Sequence, residues 1–66
     1  MSSINSFRKV EELVQKNNIS FYALGKEIGL PSSFFSEWKR GKMMPKIDKI
    51  KKIADFFGKP IEFFLE

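Results

Sequence analysis

Apolar residues recur along this chain at intervals of three and four, the spacing that lines one face of an α-helix. Phe7, Val10, Leu13 and Val14 predict a first helix over roughly residues 5 to 16, which Asn17-Asn18 stops. Ser20 suits the N-cap of a second helix, Phe21 to Glu27, with Leu24 and Ile28 facing inward. Gly29 ends it with the backbone freedom a tight turn requires. Pro31 suits the first turn of a third helix, about residues 31 to 40, because its missing donor is not needed there. Gly41 closes that helix. After Met43-Met44-Pro45, the positions Ile47, Ile50, Ile53, Ala54 and Phe57 mark a fourth helix with Gly58 as its stop. Pro60 opens a last turn or two, Ile61 to Leu65. No stretch reads as a strand, and no linker or repeat divides residues 1 to 66. The pattern therefore predicts one all-α domain.

The second and third helices, joined by a short turn containing glycine, describe a helix-turn-helix. Gly25 fits that reading: glycine inside a helix costs about 1 kcal/mol against alanine, so a close packing of helix 3 over helix 2 is its expected reason. In GLPSSFFSEWKRGK, residues 29 to 42, the side chains of Phe34, Phe35 and Trp38 fall within one arc of roughly 100°. Ser33, Ser36 and Arg40 lie opposite, with Ser32 and Glu37 on the flanks. Serine is not a strong helix former, so a serine face makes sense where something must approach closely. The B-DNA major groove admits an α-helix, and serine hydroxyls can donate to or accept from base edges. Phe34 stands at the edge of the apolar arc, either as core rim or as a contact for a thymine methyl.

Charge sharpens the picture. The formal net charge is +4, but residues 1 to 38 carry four basic and four acidic side chains, whereas residues 39 to 59 carry eight basic and two acidic. Glu62 and Glu66 follow. A basic block in an otherwise balanced chain points to an anionic partner. Cysteine and histidine are both absent, which excludes disulfides and thiolate metal sites and removes the commonest general base. With scattered carboxylates besides, no catalytic constellation emerges, and an enzyme is not expected. No apolar run is long enough to span a bilayer, and Met1-Ser2-Ser3 leads into a charged helix rather than a signal peptide, so a cytoplasmic protein is expected. Eight phenylalanines, one tryptophan and one tyrosine supply bulk for a small core.

From Ile19 onward the chain resembles the Cro/CI-type helix-turn-helix domain of phage repressors, the XRE family. The matching run is Ile19-Ser20, Leu24-Gly25, Gly29-Leu30, Phe35-Ser36, Trp38, Gly41-Lys42, Pro45, Ile50, Ile53-Ala54 and Gly58, then Phe63-Phe64-Leu65. The resemblance implies a compact five-helix bundle of the lambda-repressor-like type, with its third helix in the major groove. It also implies a homodimer on a palindromic operator that represses or otherwise regulates transcription. Base-reading positions carry over to Ser32, Ser33 and Glu37, with Ser36 on the same outward face. Phosphate contacts carry over to Ser20, Arg40 and Lys42, and Lys46 corresponds to a loop position that reaches towards the minor groove. Lys26 adds a further cation for phosphate.

Four positions depart from the family pattern. Phe21 replaces a glutamine that touches phosphate, and Gly25 replaces a common alanine. Lys39 and Val14 replace a glutamate–arginine pair, leaving Glu11 or Glu12 as the partner for Lys39. Lys46 replaces a serine or threonine cap on helix 4, where its charge opposes the helix dipole and Asp48 offsets part of the cost. A local rule broken without structural gain marks Lys46 as a phosphate or groove contact.

Three apolar residues at Phe63, Phe64 and Leu65 cannot all face inward on one turn. They are candidate dimer contacts; the other readings are a domain cut from a longer repressor, or two residues packed inward and one exposed. Double-stranded DNA is the expected partner, with no membrane, metal or small-molecule cofactor. The competing reading is a helix-turn-helix module of the antitoxin or protein-interaction type, whose partner is another protein. RNA is a weaker fit, since no aromatic-bearing sheet is predicted.

Overall fold

A computed structural model describes residues 3–65, with side chains from Ser6 onward. Met1, Ser2 and the Glu66 carboxylate of the charge map lie outside the described residues. Five helices follow one another: α1 (Ser3–Lys16), α2 (Phe21–Ile28), α3 (Ser32–Lys39), α4 (Ile47–Phe57) and α5 (Glu62–Leu65). The described residues contain no strand, so the all-α expectation holds. Pro31 differs from its expected place. It is the N-cap of α3, with φ −72° and ψ 155°, and its carbonyl accepts from the Phe34 amide at 3.0 Å.

Ser20 caps α2 as expected, its hydroxyl oxygen accepting from the Ala23 amide at 3.0 Å. The first four helices all end in the same way. Asn18, Gly29, Gly41 and Gly58 take left-handed backbone with φ between 55° and 78°. The next amide then returns to an earlier carbonyl: Ile19 to Val14, Leu30 to Gly25, Lys42 to Glu37 and Lys59 to Ala54, at 2.7 to 3.1 Å. These are Schellman ends, which satisfy the last carbonyls of a helix with main-chain donors; at the end of α1 the Asn17 side-chain amide also donates to the Leu13 carbonyl at 2.7 Å. Asparagine tolerates the left-handed region, which is why the first stop needs no glycine.

The core draws on every helix. Phe7, Val10, Leu13 and Val14 of α1 meet Leu24 of α2, Phe35 and Trp38 of α3, Ile50, Ile53 and Ala54 of α4, and Phe64 of α5. Aromatic rings join the first three helices. Phe7 stacks on Phe21 at 5.3 Å and meets Trp38 edge-on at 5.5 Å, while Phe21 lies 5.1 Å from Phe35. Such pairs contribute about 0.5–1.5 kcal/mol each beyond the area they bury. Phe21 is thus a packing residue in this chain. Lys39 finds Glu11 rather than Glu12, at 3.9 Å, but the lysine is largely in water and the pair adds little stability.

The closing helix is held from α1. Buried Ser6 donates its hydroxyl to the Phe64 carbonyl at 2.7 Å, and the Lys9 ammonium donates to the Phe63 carbonyl at 2.8 Å. Phe64 is wholly enclosed, so its ring belongs to the core and not to a dimer surface. Phe63 is half-buried, with Lys9 and Lys59 over its ring at 5.5 and 5.4 Å. Leu65 remains exposed. One helical turn sends one of its three apolar residues fully inward, and the neighbours on either side fan outward.

Gly25 is required by the turn that follows it. A Cβ there would run into the backbone carbonyl oxygen of Leu30 and would also meet the Phe35 ring at 3.4 Å. The Leu30 amide in turn bonds to the Gly25 carbonyl at 2.7 Å. Alanine gains about 1 kcal/mol in helix propensity, but its methyl must displace backbone rather than a flexible side chain. Gly25→Ala is therefore expected to lose about 1–3 kcal/mol net in urea unfolding. A midpoint at or above the parent's would show that the turn yields freely.

Candidate nucleic-acid interface

Phe35 and Trp38, both essentially enclosed, anchor α3 by its apolar stripe. Ser32, Ser33, Ser36, Glu37 and Arg40 are all exposed, as the periodicity predicts. The packing nevertheless divides them. Ser33, Glu37 and Arg40 follow one another at helical spacing along the ridge facing away from the core. Ser32, Ser36 and Lys39 form the next ridge, and with Phe7, Phe21 and Phe35 they surround a recess of about 240 Å³ between α1, α2 and α3. The Ser36 hydroxyl also donates to the Ser32 carbonyl, a long bond at 3.4 Å. Phe34 is half-buried, edge-on to Phe35 at 5.3 Å and to Trp38 at 6.2 Å, which is the core-rim position.

The cations separate by what they already touch. On α4, Lys51 pairs with Asp55 at 3.4 Å and Lys49 approaches Asp48 at 3.8 Å. Lys59 covers Phe63, and Lys39 leans to Glu11. Arg40, Lys42 and Lys46 are exposed and make no ion pair among the described residues. Arg8, Lys16 and Lys52, on α1 and α4, make none either, but Arg40, Lys42 and Lys46 all belong to the segment that joins α3 to α4, immediately after the outward ridge of α3. Lys26 stands apart from them, in the last turn of α2, while Ser20 caps the other end of that helix. The Ser20 cap uses an oxygen lone pair, so its O–H remains able to donate elsewhere.

Lys46 is the N-cap of α4 and makes no side-chain cap bond; its carbonyl accepts from the Lys49 and Ile50 amides at 3.0 and 3.2 Å. Asp48, in the first turn, is the local charge that complements the helix dipole. Sequence reasoning passed over three exposed apolar side chains in this region. Met44 and Ile47 flank Lys46, and Tyr22 stands out from the first turn of α2. Ile47 belongs to the apolar spacing that marks α4 yet stands exposed at its start, and nothing in the local pattern marks the other two.

No described helix is long and apolar enough to cross a membrane. A family profile described as helix-turn-helix matches residues 10–64, from the middle of α1 through α5. Comparisons with curated proteins and with solved structures give no significant match.

The uncapped start of α4 has a measurable consequence. Lys46→Ser supplies the missing cap oxygen and removes an adverse charge, so it should raise stability by about 1 kcal/mol. Thermal melts of the variant and parent decide it; a lower midpoint would mean that the lysine stem itself supports the fold.

Proposed function

The chain belongs to the XRE, or Cro/CI-type, family of helix-turn-helix DNA-binding regulators, and we propose that within it this protein is a sequence-specific cytoplasmic repressor acting as a homodimer on a palindromic operator. The observation that carries the reading is the division of labour around α3. Its apolar stripe is consumed in anchoring, its outer ridge bears short polar side chains, and three uncommitted cations follow at once.

Arg40, Lys42 and Lys46 neutralise phosphates and release counterions, with Lys26 and the Ser20 hydroxyl as further backbone contacts. This part of the affinity falls with salt and carries little sequence information. Ser33 and Glu37 read bases from the outer ridge, and Ser32 and Ser36 do so from the flank. Glutamate accepts from cytosine N4 and repels acceptor-rich edges, so Glu37 rejects sites as well as selecting them. Phe34, on the rim, offers its exposed edge to a thymine methyl. Two α3 helices of a dimer reach half-sites roughly 34 Å apart, one turn of the duplex. Leu65 and the open side of Phe63 are the dimer contacts left by the burial of Phe64. Together with Tyr22, Met44 and Ile47 they are also the features that would suit a partner-protein module.

Fluorescence anisotropy against a random-sequence duplex and a site enriched from a randomised pool, at several salt concentrations, tests the reading. A steep salt slope on both, with tighter binding to an enriched palindrome, is expected. Absence of binding at low salt would transfer the function to a protein partner.

The roles within the site separate by variant. Arg40→Ala should weaken binding to every duplex and lower the salt slope by about one unit. Lys46→Ser should do the same despite its firmer fold, whereas Ser33→Ala should change base preference and leave the slope intact. Variants at residues 33 and 40 that behave alike would dismiss the division.

A further inference from the structure

Tyr22 is the most exposed large apolar side chain among the described residues, 67% open to solvent, and the chain has no other tyrosine. Its neighbour Phe21 turns the other way, into the stack with Phe7 and Phe35. Helical spacing then sets Tyr22 and Lys26 on one outward face of α2, opposite Leu24 and Ile28. Lys26 is exposed and makes no ion pair among the described residues. Glu27, the acid of α2, lies on a different side of the helix, lining a recess with Ile28, Lys52, Asp55 and Phe56.

We infer that Tyr22 joins Lys26 in its contact with the DNA backbone: the Tyr22 ring lies against a deoxyribose and its phenol O–H donates to a phosphate oxygen, while Lys26 neutralises a neighbouring phosphate. The inference rests on the DNA-binding reading above. A ring with a polar tip beside a lone cation matches a polymer that alternates apolar sugar with anionic phosphate, and tyrosine is among the side chains that make phosphate contacts. The first helix of a helix-turn-helix crosses the backbone, which brings an outward face of α2 within reach. Contacts of this kind add affinity and orientation without sequence preference.

Tyr22→Phe removes the donor and keeps the ring. It should bind random and enriched duplexes more weakly by about tenfold or more, with the salt slope and the thermal midpoint unchanged, as loss of one hydrogen bond to a charged acceptor without loss of a cation requires. Lys26→Ala should lower the slope by about one unit. As the single tyrosine, Tyr22 gives ring signals in NMR that need no assignment, and these should shift when duplex is added to the parent protein. A Tyr22→Phe variant that binds both duplexes like the parent, or ring signals unmoved by saturating duplex, overturns the contact. Failure of the parent itself to bind any duplex at low salt overturns the DNA reading and this contact with it, a result distinct from either of those.

Discussion

The close approach of the Leu30 carbonyl to Gly25 governs how α2 delivers the chain into α3. The Leu30 amide closes onto the Gly25 carbonyl, and the space a side chain would take at residue 25 is filled by the backbone of the turn. From that fixed exit, Pro31 starts α3 with its own φ already restricted, and Phe35 arrives beside Phe21. The angle between the two helices is therefore a property of the backbone. Every outward residue of α3 inherits its direction from it.

A domain this short buries a smaller fraction of its surface than a large one does, so each element must be secured by few contacts. Large rings meet part of that need: Phe7, Phe21, Phe35 and Trp38 join three helices through contacts between ring faces and edges. Hydrogen bonds meet the rest. α5 spans a single turn and could not persist alone. Phe64 roots it in the core, and Ser6 and Lys9 engage its carbonyls from α1. Because Ser6 and Phe64 lie at opposite ends of the chain, their bond also ties the first helix to the last.

Local features were legible in the sequence. The helices follow from periodicity, the stops from Asn18, Gly29, Gly41 and Gly58, and the cap from Ser20, because each depends on neighbours within a turn or two. Features set by distant packing were not. Ser6 reads as an ordinary polar residue until Phe64 arrives, and Phe64 is indistinguishable from Phe63 in a run of apolar letters. The choice of Glu11 over Glu12 for Lys39 depends on how α1 and α3 face each other. For the same reason the wheel of α3 groups five polar residues that the fold separates, since the recess beside Ser32 and Ser36 is walled by α1 and α2. The proposed base-reading roles rest on family resemblance, because an isolated fold shows which residues are exposed and not what they touch.

The four main-chain helix ends bear on how such a protein can change over time. Each reversal has a backbone bond of its own, so the turn after α3 does not depend on the exposed side chains beside it. Arg40 and Lys42 flank one such end, and the serines of α3 begin just beyond another. Mutation can exchange these letters while the scaffold refolds unaltered, because the turns are indifferent to them. A lineage built on this plan can drift from one target sequence to another through single surface changes, each tolerated by the fold before it is tried against new DNA.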